Sequence, residues 1–148
     1  MSVPPSSPLR PHPAALPLSG PEDALGVLFA AASRPRQAEH LALLLDHAHR
    51  GLGCLVIVGG GSIRPVAELL VHLACQEGGL AALVLATVRP PGTPSVPGAA
   101  ELVTFHDLRE QFDELGIDLV DWFLLADRRA ASLAELTDSQ PRWRPPRR

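Results

Sequence analysis

The residues of this chain best suited to chemistry fall at four places. Glu39 and His40 stand together at the head of an apolar run, Glu-His-Leu-Ala-Leu-Leu-Leu-Asp. His47 and His49 are one residue apart, a spacing that puts two imidazoles on one face of a strand and suits a metal. Gly59-Gly60-Gly61-Ser62 follows a second apolar run and has the composition of a phosphate-cradling loop. Thr87 and Arg89 close a third run, and the rigid segment Pro90-Pro91-Gly92-Thr93-Pro94 follows them. A buried strand that delivers the chain to a rigid loop is where α/β folds place their sites.

The chemistry open to each place is narrow. Neither Thr87 nor Arg89 is a good metal ligand, and no nucleophile–base pair is evident. The glycine loop lacks both the Rossmann spacing and a Walker lysine, so a plain turn is the simpler reading. The His47-x-His49 pair falls in a predicted hairpin turn, and a metal pair is weighed there against a solvated turn. His40 is expected to point to the face of its strand opposite Glu39. His106 falls on a predicted helix and His12 in the N-terminal tail, and no third ligand is obvious for any of them. All 13 basic residues are Arg, which excludes Schiff-base and P-loop-lysine chemistry.

The bulk properties fit one soluble globular domain: 148 residues, 46% apolar and 20% charged. A net charge of −3 gives the whole molecule no pull towards nucleic acid or an anionic membrane. Cys54 and Cys75 are lone thiols on apolar segments, expected to be buried packing residues in a reducing, cytoplasmic compartment. No signal segment or long apolar span is present, so no membrane role is expected.

These candidates need elements to position them. Pro21-Glu22-Asp23 predicts a helix start, with the helix running to about Ser33 and Pro35 ending it. Strands are expected at 39–46 and 52–58, joined as a hairpin through the His47–Gly51 turn. Pro65 opens a helix to Gln76, with Val66, Leu69, Leu70, Leu73 and Ala74 at helical spacing and His72 as a partly buried structural histidine. Leu80 to Ala86 reads as the central strand. A third helix runs from about Ala99 or Glu101 to Leu115, ended by Gly116, and Ile117 to Leu125 is the next strand. On it, one of Trp122 and Phe123 is expected in the core and the other on a face or at a dimer interface. A short strand or helical turn at 131–136 closes the domain. The acids Asp107, Glu110, Asp113, Glu114, Asp118 and Asp121 are expected to form a solvated face with Arg109 in opposition. The order of elements predicts an α/β fold, one layer of strands between helices. Residues 1–20 read as a proline-rich disordered tail, 21–137 as the domain, and 138–148 as a basic Pro/Arg-rich tail. Trp143 and the arginines of that tail could stack on a base and touch phosphates.

Pro21-Glu22-Asp23, Glu39-His40 before Leu43-Leu44-Leu45-Asp46, the Gly59 turn and Pro65 helix, Pro90-x-Gly92-x-Pro94-Ser95, Leu115-Gly116-Ile117 and Asp121 occur in one order. In this the chain, from about Pro21 to Leu136, resembles the RadC-type JAB/MPN (JAMM) domain. The resemblance implies a three-layer α/β/α fold with a mixed central sheet, like that of cytidine deaminases. Active members bind zinc and cleave amide or isopeptide bonds, and RadC-type proteins have been linked to DNA repair. Their pattern is a Glu on the first strand, His-x-His-Pro after the central strand and an acid about eleven residues on. Carried onto this chain, Glu39 takes the general-base position, Thr87 and Arg89 take the two histidine positions, and Ala100 or Glu101 takes the acid position. Asp121-Trp122 stands where the family has Asp-His. The resemblance thus implies a frame without its ligands, a vestigial site of Glu39, Thr87, Arg89 and Glu101. Arg89 is expected to pair there with Glu39 or Glu101. No catalytic residue, metal or cofactor is expected, with zinc only if ligands have relocated. The expected function is a non-catalytic protein-interaction or scaffold module. A zinc peptidase or isopeptidase with relocated ligands, and a DNA-repair accessory protein, are the alternatives. The expected partner is another protein, with a homodimer and a weak nucleic-acid contact through the Arg tail as further options.

Overall fold

The computed structural model describes residues 17–76, 79–90, 96–126, 129–137 and 143. Its elements are α1 (Pro21–Ala31), β1 (Glu39–Leu45), β2 (Gly51–Val58), α2 (Arg64–Gln76), β3 (Ala82–Val88), α3 (Ala99–Glu114), β4 (Asp118–Ala126), β5 (Arg129–Ser132) and α4 (Leu133–Leu136). The five strands form one mixed sheet in the order β2-β1-β3-β4-β5. β1 is antiparallel to both β2 and β3, β3 and β4 are parallel, and β5 returns antiparallel to β4. The parallel pair needs a crossover, and α3 provides it.

Local chemistry sets the ends of these elements. Ser19 donates to Oδ2 of Asp23 from both its backbone N–H and its hydroxyl, at 3.1 and 3.0 Å, and Pro21 occupies the first turn of α1. The Ser62 hydroxyl accepts the Arg64 N–H at 3.1 Å where α2 begins. Gly116, at φ +76°, takes the left-handed conformation that ends α3. β1 is buried along its whole length, as a central strand with both faces covered must be.

The sheet carries a core on each face. Ala42, Leu44, Leu83, Leu85, Leu119 and Trp122 pack against α2, α3 and α4 through Leu70, Phe105, Phe112 and Leu133. On the other face Leu41, Leu43, Val84, Ala86 and Phe123 pack against Ala24 and Leu28 of α1. Trp122 and Phe123 are therefore both core residues, one for each face, and neither is left for a surface. The alternation of a strand buried on both sides explains the difference from expectation.

Other expectations change for similar reasons. The central strand begins two residues later than predicted and reaches Val88. Residues 129–136 form a strand and then a short helix. Cys75 and His72 are exposed, and Cys54 is only partly buried. The expected acidic face loses Asp121. Asp121 is buried, where it accepts from the Trp122 and Ala134 N–H groups at 2.7 and 3.1 Å and from the Ser132 hydroxyl. Burial pushes its pKa up, against the pull of these bonds. Arg109 is buried too, where the expected position was on the surface. Val120 is an extra residue in β4, at a shift in the β3–β4 register. The Arg109 guanidinium donates to the Leu119 and Val120 carbonyls at this irregularity, both at 2.9 Å, and lies 4.7 Å from the Phe105 ring centre. A fixed planar fork suits two adjacent carbonyls.

Most of the tail assignment, at 1–16 and 138–148, lies outside the described residues, as does the Pro91–Ser95 part of the loop after β3. Trp143 is described: it packs against the α1-side core, with its ring edge-on to His49 at 6.4 Å.

Candidate functional site

The candidate site sits at the end of the sheet where β1 begins and where β3 and β4 finish. The β1–β3 register sets His40 opposite Thr87 and Glu39 opposite Val88. Alternation then places His40, Thr87 and Trp122 on the α2/α3 face, and Glu39 on the α1 face.

A continuous polar chain crosses three strands on the first of these faces. The indole Nε1–H of Trp122 donates to Oγ1 of Thr87 at 2.9 Å. Thr87 Oγ1 lies 2.9 Å from Nδ1 of His40, and Nε2 of His40 lies 3.0 Å from the Gly61 carbonyl oxygen. A carbonyl only accepts, so His40 carries its proton on Nε2 and donates it to Gly61. Nδ1 is then an acceptor for the Thr87 hydroxyl, which in turn accepts from Trp122. Every group along the chain is matched with a neutral imidazole. Burial holds the His40 pKa below its ordinary value, with the bond to Gly61 acting in the opposite sense. The glycine loop thus acts as a turn, with Gly59 and Gly61 at φ +131° and +111°, and its carbonyl fixes His40.

Beside this chain stands an ion pair. The Arg89 backbone N–H donates to the Leu125 carbonyl at 2.8 Å, which anchors the residue to the end of β4. Its guanidinium Nη2 bonds to Oε1 of Glu101. The same Glu101 oxygen accepts the Gly98 N–H at 3.0 Å, so the carboxylate also secures the first turn of α3. The Arg89 and Glu101 side chains remain 20% and 28% exposed. Nε of Arg89 is buried with no hydrogen-bond partner among the described residues.

Of the four positions in the vestigial set, the structure brings three to one corner: Thr87, Arg89 and Glu101. It leaves Glu39 out. Glu39 is 1% exposed and faces α1, accepting from the Ser33 N–H at 2.7 Å and the Ser33 hydroxyl at 2.6 Å. Between the two carboxylates offered for Arg89, the structure pairs it with Glu101. The reason lies in register: one residue along β1 turns the side chain to the other face.

The remaining candidates lie elsewhere. His47 and His49 are at the opposite end of β1 and are split. His47 is exposed, whereas His49 is 2% exposed at φ +60°, so only His47 fits a solvated turn. The His49 carbonyl accepts the Leu18 N–H at 2.8 Å. His106 pairs with Glu110 on the exposed face of α3 at 3.2 Å. Among the described residues, no three of His, Cys, Asp and Glu gather so as to hold a metal ion. The Thr87 hydroxyl and the Arg89 guanidinium, at the two positions that the JAB/MPN resemblance would give to imidazoles, do not suit a zinc ion.

Sequence reasoning assigned His40 and Trp122 no part in this corner. The available signal was the alternation of β1, which separates His40 from Glu39. Placing His40 beside Thr87 also requires the β1–β3 register, which local pattern does not contain. No protein-family model matches the chain, and no curated protein matches it.

Proposed function

We propose that this chain is a non-catalytic module on a JAB/MPN-like frame and that it acts through contact with another protein. The observation that carries the reading is the occupation of the corner at the end of β3. The Thr87 hydroxyl is engaged by Trp122 and His40, and the Arg89 guanidinium by Glu101. A site built for hydrolysis needs an activated water and groups free to move a proton to it. Here the polar groups are largely satisfied by one another, and the Glu101 carboxylate is held by the Arg89 cation and by the start of α3. Glu39, the position of the family's general base, is turned to the other face and bound by Ser33. Such an arrangement rigidifies a corner more readily than it turns over a substrate.

The test is metal content and hydrolase activity of the purified full chain, against peptide and isopeptide substrates. The reading expects neither. Zinc near one per chain, with hydrolysis lost in Glu39→Gln, would replace it with the relocated-ligand hydrolase.

A further inference from the structure

We infer that the outer edge of β2 is the contact surface of this module, and that it pairs with β2 of a second copy of the chain. The inference rests on reading the chain as a protein-interaction module and names where and with what that interaction is made.

The two edges of the sheet are unlike. The β5 edge is four residues long, opens with Arg129 and runs directly into α4. That is a blunted edge: short, charged and ended by a helix. The β2 edge is eight residues long, Gly-Leu-Gly-Cys-Leu-Val-Ile-Val, with no charge and no proline. Among the described residues nothing pairs with its outer side. Its one irregularity is the extra residue Leu52, between Gly51 and Gly53, which leaves Gly53–Val58 as regular strand. Val56 and Val58 are 38% and 60% exposed. They pair with Leu41 and Glu39, so with Cys54 they form one row on the α1 face. A long, neutral, apolar edge with open backbone donors and acceptors is a template for another strand.

The occupant follows from charge and from what the chain itself can supply. A two-fold axis normal to the sheet at Val56 sets Val56 against its own copy and Cys54 against Val58, which joins the two rows into one apolar strip. The span this register pairs, Gly53 to Gly59, carries no charge, so no like charges oppose each other. The chain's own N-terminal segment is poorly suited to this edge. Residues 1–16 carry Pro4, Pro5, Pro8, Pro11 and Pro13, none with a backbone donor.

The experiment is sedimentation velocity on the full chain over a range of concentrations, with zinc content measured on the same sample so that the non-catalytic reading is judged separately. A dimer is expected. Val56→Lys with Val58→Lys should weaken it by at least about tenfold while leaving the circular dichroism unchanged. Mixing that variant with Val56→Glu/Val58→Glu should restore it, which a misfolded protein would not do. In a Cys75→Ser background, Val56→Cys should form an intermolecular disulfide, and Val103→Cys on α3 should not. Three results would overturn the inference: a monomer at every concentration, a dimer indifferent to the paired lysines, or a dimer that appears only when residues 1–16 are removed. The last would assign the edge to that segment.

Discussion

The hydroxyl of Thr87 lies 2.9 Å from Nδ1 of His40, across the antiparallel pair of β1 and β3. This contact ties the start of β1 to the end of β3. With the Trp122 indole on its other side, Thr87 satisfies two buried groups at once. Thr87→Val keeps the shape and removes the hydroxyl, leaving an indole N–H and an imidazole nitrogen without partners. Each such group costs about 1–3 kcal/mol, so we expect a loss of about 2–6 kcal/mol in urea unfolding. Thr87→Ser should recover most of it.

His40 gives the corner a pH dependence. Its folded pKa lies below the ordinary value of 6.5, so the native state prefers the neutral ring and the unfolded chain takes up the proton first. The stability tied to this group is therefore full above about pH 6.5 and is lost as pH falls through the folded value. Asp121 adds an opposite slope. Its raised folded pKa means its contribution is full below the unfolded value of 3.8 and falls as pH rises through the folded value. Urea midpoints at pH 7.5 and 5.5 should show wild type less stable at the lower pH, and His40→Asn should flatten that difference. Asp121→Asn should remove the opposing gain, and so steepen the loss of stability on acidification, between the folded pKa of Asp121 and 3.8.

Arg109 holds β4 where its register slips. Removing the guanidinium takes a charged donor from each of the Leu119 and Val120 carbonyls. Arg109→Met should cost about 2–3 kcal/mol, measured by thermal unfolding. Arg109→Lys should fall between Met and wild type, because an ammonium cannot span both carbonyls from one plane.

The Arg89–Glu101 pair should behave differently, being partly exposed. Arg89→Ala is expected to cost less than about 1 kcal/mol. Glu101→Ala should cost somewhat more, because the Gly98 N–H at the start of α3 also loses its acceptor. A loss above about 3 kcal/mol for Arg89→Ala would mark the pair as a buried element of the fold.

The elements were largely legible in the sequence because local signals mark them. Pro21 with its acids, Pro65, and Gly116 at φ +76° punctuate the helices, and uninterrupted apolar runs mark β1 and β3. What could not be read depends on register and packing. Glu39 and Thr87 look like partners along the chain, yet pairing of Glu39 with Val88 puts them on opposite faces. His49 looks like a turn histidine, yet it is covered by residues distant in sequence, among them Trp143. Arg109 looks like a surface charge, yet an extra residue in a neighbouring strand draws it inward.

The central claim, that Thr87 and Arg89 have replaced metal ligands and closed the site, is tested most directly by zinc titration of the purified full chain in a calorimeter, with elemental analysis of the same sample. The account predicts no stoichiometric binding and no zinc retained after dialysis against a weak chelator. About one zinc per chain, retained through that dialysis, would contradict it.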